Sequence, residues 1–292
     1  MGDSPDASRW RDEKKLLRRG PGTFYRRVQT WRFLLGRDRR AVQAFLRGRY
    51  PIALSLAARL RLLRRLLRIS DALRGYHSLS EILRVGDHIL RLAGRKELRV
   101  VEVGAGSGAS TAKLSLFVEL AGGRLDVIDT FRGIPDNDEH HQLIDGRCLR
   151  FMRGAFRGRL GAVERRVREH GAVHVCAFHK GLAQDLLPAL EGHVDVALLD
   201  VDLIASTRAC VEELLPRLRE GGRIFSQDGH LRATHELLGD PSFWQCSFAL
   251  PAPRVEGLLT SFEGAPATKL LAIHPLRVAS SREIRLPQRA AP

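Results

Sequence analysis

The chain is poor in cysteine: four in 292 residues, at positions 148, 176, 210 and 246, with no C-x-x-C pair among them. That spacing offers neither a zinc site nor a disulfide framework, and a reducing cytoplasm is the setting it suggests. No run of about 18 uninterrupted apolar residues occurs, so no membrane-spanning helix is expected. The opening "MGDSPDASRWRDEKK" lacks the apolar segment of a secretory signal. No internal repeat is visible. Hydrophobic residues nevertheless make up 44%, enough for a sizeable core and against global disorder.

Acidic residues are scarce where the chain begins. Residues 1–100 hold 25 Lys/Arg against 9 Asp/Glu, whereas the remaining 192 hold 23 against 24. The net charge of +15 therefore belongs to the first third, and the rest is neutral. A strongly basic chain invites nucleic acid or an anionic membrane as partner. The segregation argues for a basic attachment surface apart from the chemistry, and against an RNA-coated active site.

Four zones follow. Residues 1–22 are polar, end in "GPG" and read as a flexible basic arm. Residues 23–95 read as helices. In "LSLAARLRLLRRLLRIS", Leu56, Leu60, Leu63 and Leu67 share a stripe with Leu62 and Leu66 beside it. Arg61, Arg64, Arg65 and Arg68 lie opposite, and Arg59 intrudes on the apolar side. Such a helix either lies on an anionic membrane, through residues 51–70, or packs on the domain with its arginines in water. "HSLSEILRVGDHILRLAG" is a second helix, with Ser78 or Ser80 as N-cap and Gly94 as its stop. Residues 96–280 then alternate. Strands are predicted at "LRVVEVG", "RLDVIDT", "HVCAFHKG", "HVDVALLD" and "RIFSQD", with two more at 245–250 and 268–274. Helices are predicted between them, including a basic one over 151–170. This is an α/β, Rossmann-like fold with a seven-stranded, mostly parallel sheet and helices on both faces. Residues 281–292 read as a disordered tail.

"VVEVGAGSGAS" follows a strand and opens a helix. Gly104, Gly106 and Gly108 allow a tight turn and close approach to a ligand. Gly104-x-Gly106-x-x-Ala109 satisfies the dinucleotide fingerprint, which keeps an NAD(P)-dependent oxidoreductase open. Glu102, two residues before the first glycine, sits awkwardly beside a pyrophosphate but suits a sulfonium or ammonium. Asp129 ends the next strand, 25 residues after Gly104, where an acid meets ribose hydroxyls; it is alternatively a helix N-cap. "VALLDVDLIAST" raises a separate question, because an apolar strand ends in Asp200 and Asp202. A buried unpaired charge is costly, so the acids are expected at the rim of the sheet, where α/β folds bind ligands. Asp202 has a second reading as a helix N-terminal charge.

"VEVGAGSGAST", "DVIDTFRGIP", "LLDVDLIASTRACVEELLPRLREGGRIF" and "QDGH" together resemble the macrocin O-methyltransferase family, over about residues 98–230. The resemblance implies a class I methyltransferase fold, S-adenosylmethionine as donor and often Mg²⁺. It would place Glu102, Gly104, Ala105, Gly106, Ser107 and Gly108 around the methionine part. Asp129, Thr130 and Phe131 would bind ribose and flank adenine, with Lys180 and Gly181 near adenine. Asp200 would be base or metal ligand. The family's paired acids at the next strand end read Gln227 and Asp228 here, giving Asp200, Gln227 and Asp228 as the metal set.

Methyl transfer to a hydroxyl needs alignment and removal of one proton. Asp200 and His230 are the candidates for that removal, His230 at an ordinary pKa; the alternative for His230 is a loop residue. "DNDEHHQ", residues 136–142, is either a lid or a plain surface loop. Cys176 and Cys210 read as core thiols. The leading expectation is an O-methyltransferase acting on a small-molecule or glycan acceptor, cytoplasmic or membrane-peripheral, with a homo-oligomer allowed. RNA methylation is the alternative that the basic N-terminal region suggests, but base amino-methylation generally uses an Asn/Asp-Pro-Pro-aromatic turn, which the sequence lacks.

Overall fold

The computed structural model describes Gly36, residues 38–259 and residues 269–275. The arm 1–22 and the tail 281–292 lie outside them. Three helices come first: α1 (Arg39–Arg47), α2 (Leu56–Ala72) and α3 (Leu79–Arg91). Then follow β1 (Arg99–Val103), α4 (Ala109–Ala121), β2 (Arg124–Asp129), the hairpin β3 (His141–Gln142) and β4 (Cys148–Leu149), α5 (Leu160–His170) and β5 (Cys176–Lys180). The remainder is α6 (Ala183–Leu186), β6 (Val194–Leu199), α7 (Ile204–Leu214), β7 (Leu218–Ser226), α8 (Arg232–Gly239), α9 (Pro241–Phe248), β8 (Val255–Glu256) and β9 (Leu271–Ile273).

Seven strands form one sheet in the order β5-β2-β1-β6-β7-β9-β8. The first five are parallel; β9 and β8 add antiparallel at the edge. The chain winds from β1 outward to β5, then returns to β6 beside β1. That reversal between β1 and β6 is the switch point where a doubly wound sheet leaves a crevice at its carboxyl edge.

Alternation along the strands supplies two apolar faces. Val100, Val196 and Leu198 pack under α1 to α5, while Val101, Val103, Ala197 and Leu199 pack against α6 to α9. Every residue of β6 is buried, as a central strand covered on both faces requires. Each buried Val or Leu contributes about 1.5–3 kcal/mol of apolar transfer. α3 opens with a capping box: the Ser78 hydroxyl accepts from Glu81 N, and the Glu81 carboxylate from Ser78 N. It ends at Arg91, three residues before the expected stop at Gly94.

Four expectations need correction. Residues 245–250 are no strand, because Pro241 and the Asp240 side-chain cap start α9 there. The helix expected over 151–170 begins only at Leu160, the preceding stretch being broken by Gly154 at φ +78° and the close-packed Gly158. The apolar stripe of α2 is rotated: Leu62, Leu63, Leu66 and Ile69 are buried, whereas Leu56 and Leu60 are 59% and 50% exposed. Arg59 does not spoil the inner face. Its guanidinium donates to the carbonyls of Phe45, Leu46 and Gly48 at the end of α1, where unsatisfied acceptors and the negative helix pole favour a cation. The charged loop 136–142 is docked rather than free. The Glu139 carboxylate accepts from Ile204 N (2.7 Å) and Ala205 N (3.1 Å), capping α7. His141 is 2% exposed against Phe151.

Candidate active site

The crevice at the switch point is a cavity of about 440 Å³. Its floor is the turn after β1. Gly104 has φ +92°, and a Cβ there would lie 2.0 Å from the Asp200 carbonyl oxygen; only glycine lets β1 and β6 end this close together. The strands are tied by Asp200 N donating to Val103 O at 2.9 Å. The glycine turn and the first rim acid are therefore neighbours across the switch point.

Asp129 faces the turn. Its Oδ2 accepts from Ala105 N (2.7 Å) and Gly106 N (3.0 Å), and its Oδ1 from Phe131 N (2.6 Å). In a dinucleotide site such amides are aimed at pyrophosphate. Here a carboxylate holds them, which disfavours a phosphate and suits a nucleoside whose hydroxyls meet an acid. Ala105, Gly106, Ser107, Thr130 and Gly181 line the same cavity. Gly108 instead starts α4 with φ +84°. Phe131 is buried beside Phe178, and Lys180 is exposed; neither lines the cavity. Glu102 is fully buried below the turn, and burial pushes its carboxyl up to about 7.

Opposite the turn lie the acids. Carboxylate oxygens of Asp200, Asp202 and Asp228 come within 4.8 Å of one another. Asp228 Oδ2 accepts from Val201 N and Asp202 N, both at 3.2 Å, while its buried Oδ1 has no partner among the described residues. Burial raises all three, and repulsion from the neighbouring acids adds to the rise in Asp200 and Asp202: Asp200 stands well above its ordinary value, Asp202 at about 8 and Asp228 at about 6. Asp202 reaches the cluster through a left-handed backbone, φ +62°, so its place is in the cluster as well as before α7. The third acid is thus Asp202. Gln227 lines the cavity, but its amide nitrogen donates to Glu81 Oε2 at 2.9 Å.

His230 also lines the cavity. It does not keep an ordinary pKa: burial, with the Lys269 charge beside it, pushes it down to about 3. The ring is neutral at pH 7 and a weak base. His235, five residues on, is structural, accepting from Leu259 N and bonding the Gly229 carbonyl.

Sequence reasoning missed Lys269. It lines the cavity just before β9, and its charge opposes the rise in each of the three acids. Glu81 fixes its backbone, Oε1 accepting from Lys269 N at 2.9 Å. Lys269 is the sole lysine after Lys180, a signal visible in advance in a chain whose cations are mostly arginine. Also missed was the wall Arg74–His77, which joins α2 to α3 and shares the cavity with Phe151 and Phe156.

Residues 101–229 match the family model described as a methyltransferase domain. The seven-stranded, mostly parallel sheet with helices on both faces is the Rossmann-like methyltransferase fold. Among solved structures, the chain is similar to the O-methyltransferase NovP at 17% identity, covering 82% of this chain and 89% of that one with a TM-score of 0.49. It is similar to the calicheamicin methyltransferase CalS11 at 18% identity, covering 94% of each chain with a TM-score of 0.46. An rRNA methylase from Streptococcus thermophilus has 16% identity, 68% and 97% coverage and a TM-score of 0.42. No curated protein matches the chain.

Proposed function

We propose that the protein is an S-adenosylmethionine-dependent O-methyltransferase acting on a hydroxyl of a sugar or glycosylated small molecule, in line with its sequence resemblance to the macrocin O-methyltransferases. The observation that carries this reading is the apposition, across one cavity, of the glycine turn and the carboxylate cluster. The donor fits the residues present: Gly104–Ser107 for its amino-acid part, Asp129 and Thr130 for ribose, and Gly181 for the base. When bound, it supplies a methyl group on sulfonium, already activated for in-line displacement.

The chain's own residues must orient the acceptor and take one proton. Asp200 is the first choice as acceptor of that proton. It stands at the switch point beside Gly104, and its raised pKa makes its ionised form a stronger base than an ordinary carboxylate. Burial sets that strength, repulsion from Asp228 and Asp202 adds to it, and Lys269 limits it. Proton transfer to His230 is disfavoured by its low basicity.

Mg²⁺ also fits. Asp200, Asp202 and Asp228 offer clustered hard oxygens, one of them an unpartnered buried atom. These three residues would hold the ion, and there it would supply Lewis-acid stabilisation of the acceptor oxygen.

The test is calorimetry with S-adenosylhomocysteine and with NADH, followed by transfer of labelled methyl to a panel of glycosides. Micromolar binding of the first ligand and glycoside labelling are expected. Binding of NADH alone, or label delivered only to RNA, would overturn the proposal.

A further inference from the structure

α2 carries more than its packing requires. Its inner face is spent on the core through Leu62, Leu63, Leu66 and Ile69. Its outer face keeps Leu56 and Leu60 in solvent, one turn apart. Arg61, Arg64, Arg65 and Arg68, all exposed, continue that face, and none has an ion-pair partner among the described residues. The surroundings add to it. Residues 38–75 hold ten arginines against Asp38 and Asp71; Asp38 is buried, accepting from Ser80 N, and Arg39, Arg40, Arg47 and Arg49 are exposed.

The charge selects the occupant. A second copy would set arginine against arginine. The chain's own residues 1–35 are also basic, with nine Lys/Arg against four Asp/Glu, so their charge does not complement this face. An anionic partner is required, and the two leucines decide which kind. A phosphate backbone uses the arginines alone, whereas a bilayer takes the leucines into its interfacial region and the arginines onto its headgroups.

We propose that the outer face of α2 is a docking surface for an anionic lipid bilayer, seated through Leu56 and Leu60 and held by Arg61, Arg64, Arg65 and Arg68. The surface is reversible and peripheral: no helix among the described residues is long and apolar enough to cross a membrane. This inference is independent of the methyl-transfer reading, since none of the six side chains lines the cavity.

The full chain is floated with vesicles of phosphatidylcholine alone, and of phosphatidylcholine mixed with phosphatidylglycerol. Two variants accompany the wild type: Leu56→Ser/Leu60→Ser, and Arg61, Arg64, Arg65 and Arg68 each →Gln. All substitutions are at exposed positions, and thermal melting verifies the fold. Binding only to the anionic vesicles is expected, weakened roughly fivefold per arginine removed and about tenfold by the leucine pair. Equal binding to neutral vesicles would overturn the proposal, and so would anionic-vesicle binding that neither variant weakens, which would leave the basic arm 1–22 as the lipid ligand. So would tight RNA binding insensitive to the leucines with no flotation.

Discussion

The two ends of the central strand β6 carry the same chemistry wired in opposite ways. At its amino end Asp195 is fully buried and saturated: it accepts from Arg99 N (2.8 Å), Arg95 (3.2 Å) and both forks of Arg219. Next to it, Asp126 takes Arg99 Nε at 2.7 Å and His179 Nε2 at 2.8 Å. At the carboxyl end Asp200, Asp202 and Asp228 meet no arginine among the described residues, and Lys269 is the cation whose charge reaches all three. They face one another, backbone amides and a single lysine, and one oxygen is left over. Buried carboxylates that are paired hold a fold together; those held close without pairing store free energy that a ligand or a reaction can release. Five residues separate the two regimes.

Four changes probe this contrast. Asp200→Ala should lower methyl transfer by roughly 10²–10⁴-fold while S-adenosylhomocysteine affinity and thermal stability stay level or rise; calorimetry and melting separate the effects. A proportional loss of stability would mean that the carboxyl-end cluster is structural after all.

Asp195→Ala should do the reverse. Removing the shared acceptor leaves Arg95 and Arg219, each about one-third exposed, to find water, and leaves Arg99 N unpaired. A loss of about 3 kcal/mol in urea unfolding is expected, with ligand affinity of the folded fraction unchanged.

The third probe is pH. Glu102 and Asp202 have folded pKa values raised to about 7 and about 8, so the native state binds more protons than the unfolded chain and stability falls as pH rises through them. His88 and His230, depressed to about 4 and about 3, act oppositely, but their contribution is complete above the ordinary histidine pKa. Between pH 6.5 and 8 only the acids remain, and the apo-protein should lose stability. Asp202→Asn should flatten that decline, by at most about 2 kcal/mol at pH 8. An unchanged slope would remove Asp202 from the cluster.

The smallest effect concerns Glu139, an acid at the carboxyl end that is saturated like those at the other. Glu139→Ala removes the remote cap of α7 and should cost about 1 kcal/mol, with faster proteolysis within residues 130–150.

Much was legible beforehand because it is local. The buried apolar run of β6 ending at Asp200, the Gly104–Gly108 turn and the start of α3 at Ser78, one of its two expected N-caps, depend on neighbours within a few residues, and each appeared where the pattern put it. The errors were of another kind. Residues 245–250 are apolar enough for a strand, but Pro241 and Asp240 impose a helix start. The leucines of α2 span nearly half its circumference, and periodicity could not say which would face the core. Residues 136–142 read as a lid or a plain surface loop; the burial of His141 goes with Glu139 reaching α7, 65 residues away.

The sequence by itself determined a doubly wound sheet with a glycine turn after its first strand and acids at the ends of later ones, since backbone conformation and strand burial are written in short-range pattern. Only the tertiary structure decided which acids converge, that Gln227 turns to Glu81 while Asp202 joins the cluster, and that Lys269, just before β9, faces them. Those outcomes depend on distances between chain segments far apart in sequence, and electrostatic coupling is set by such distances, not by order along the chain.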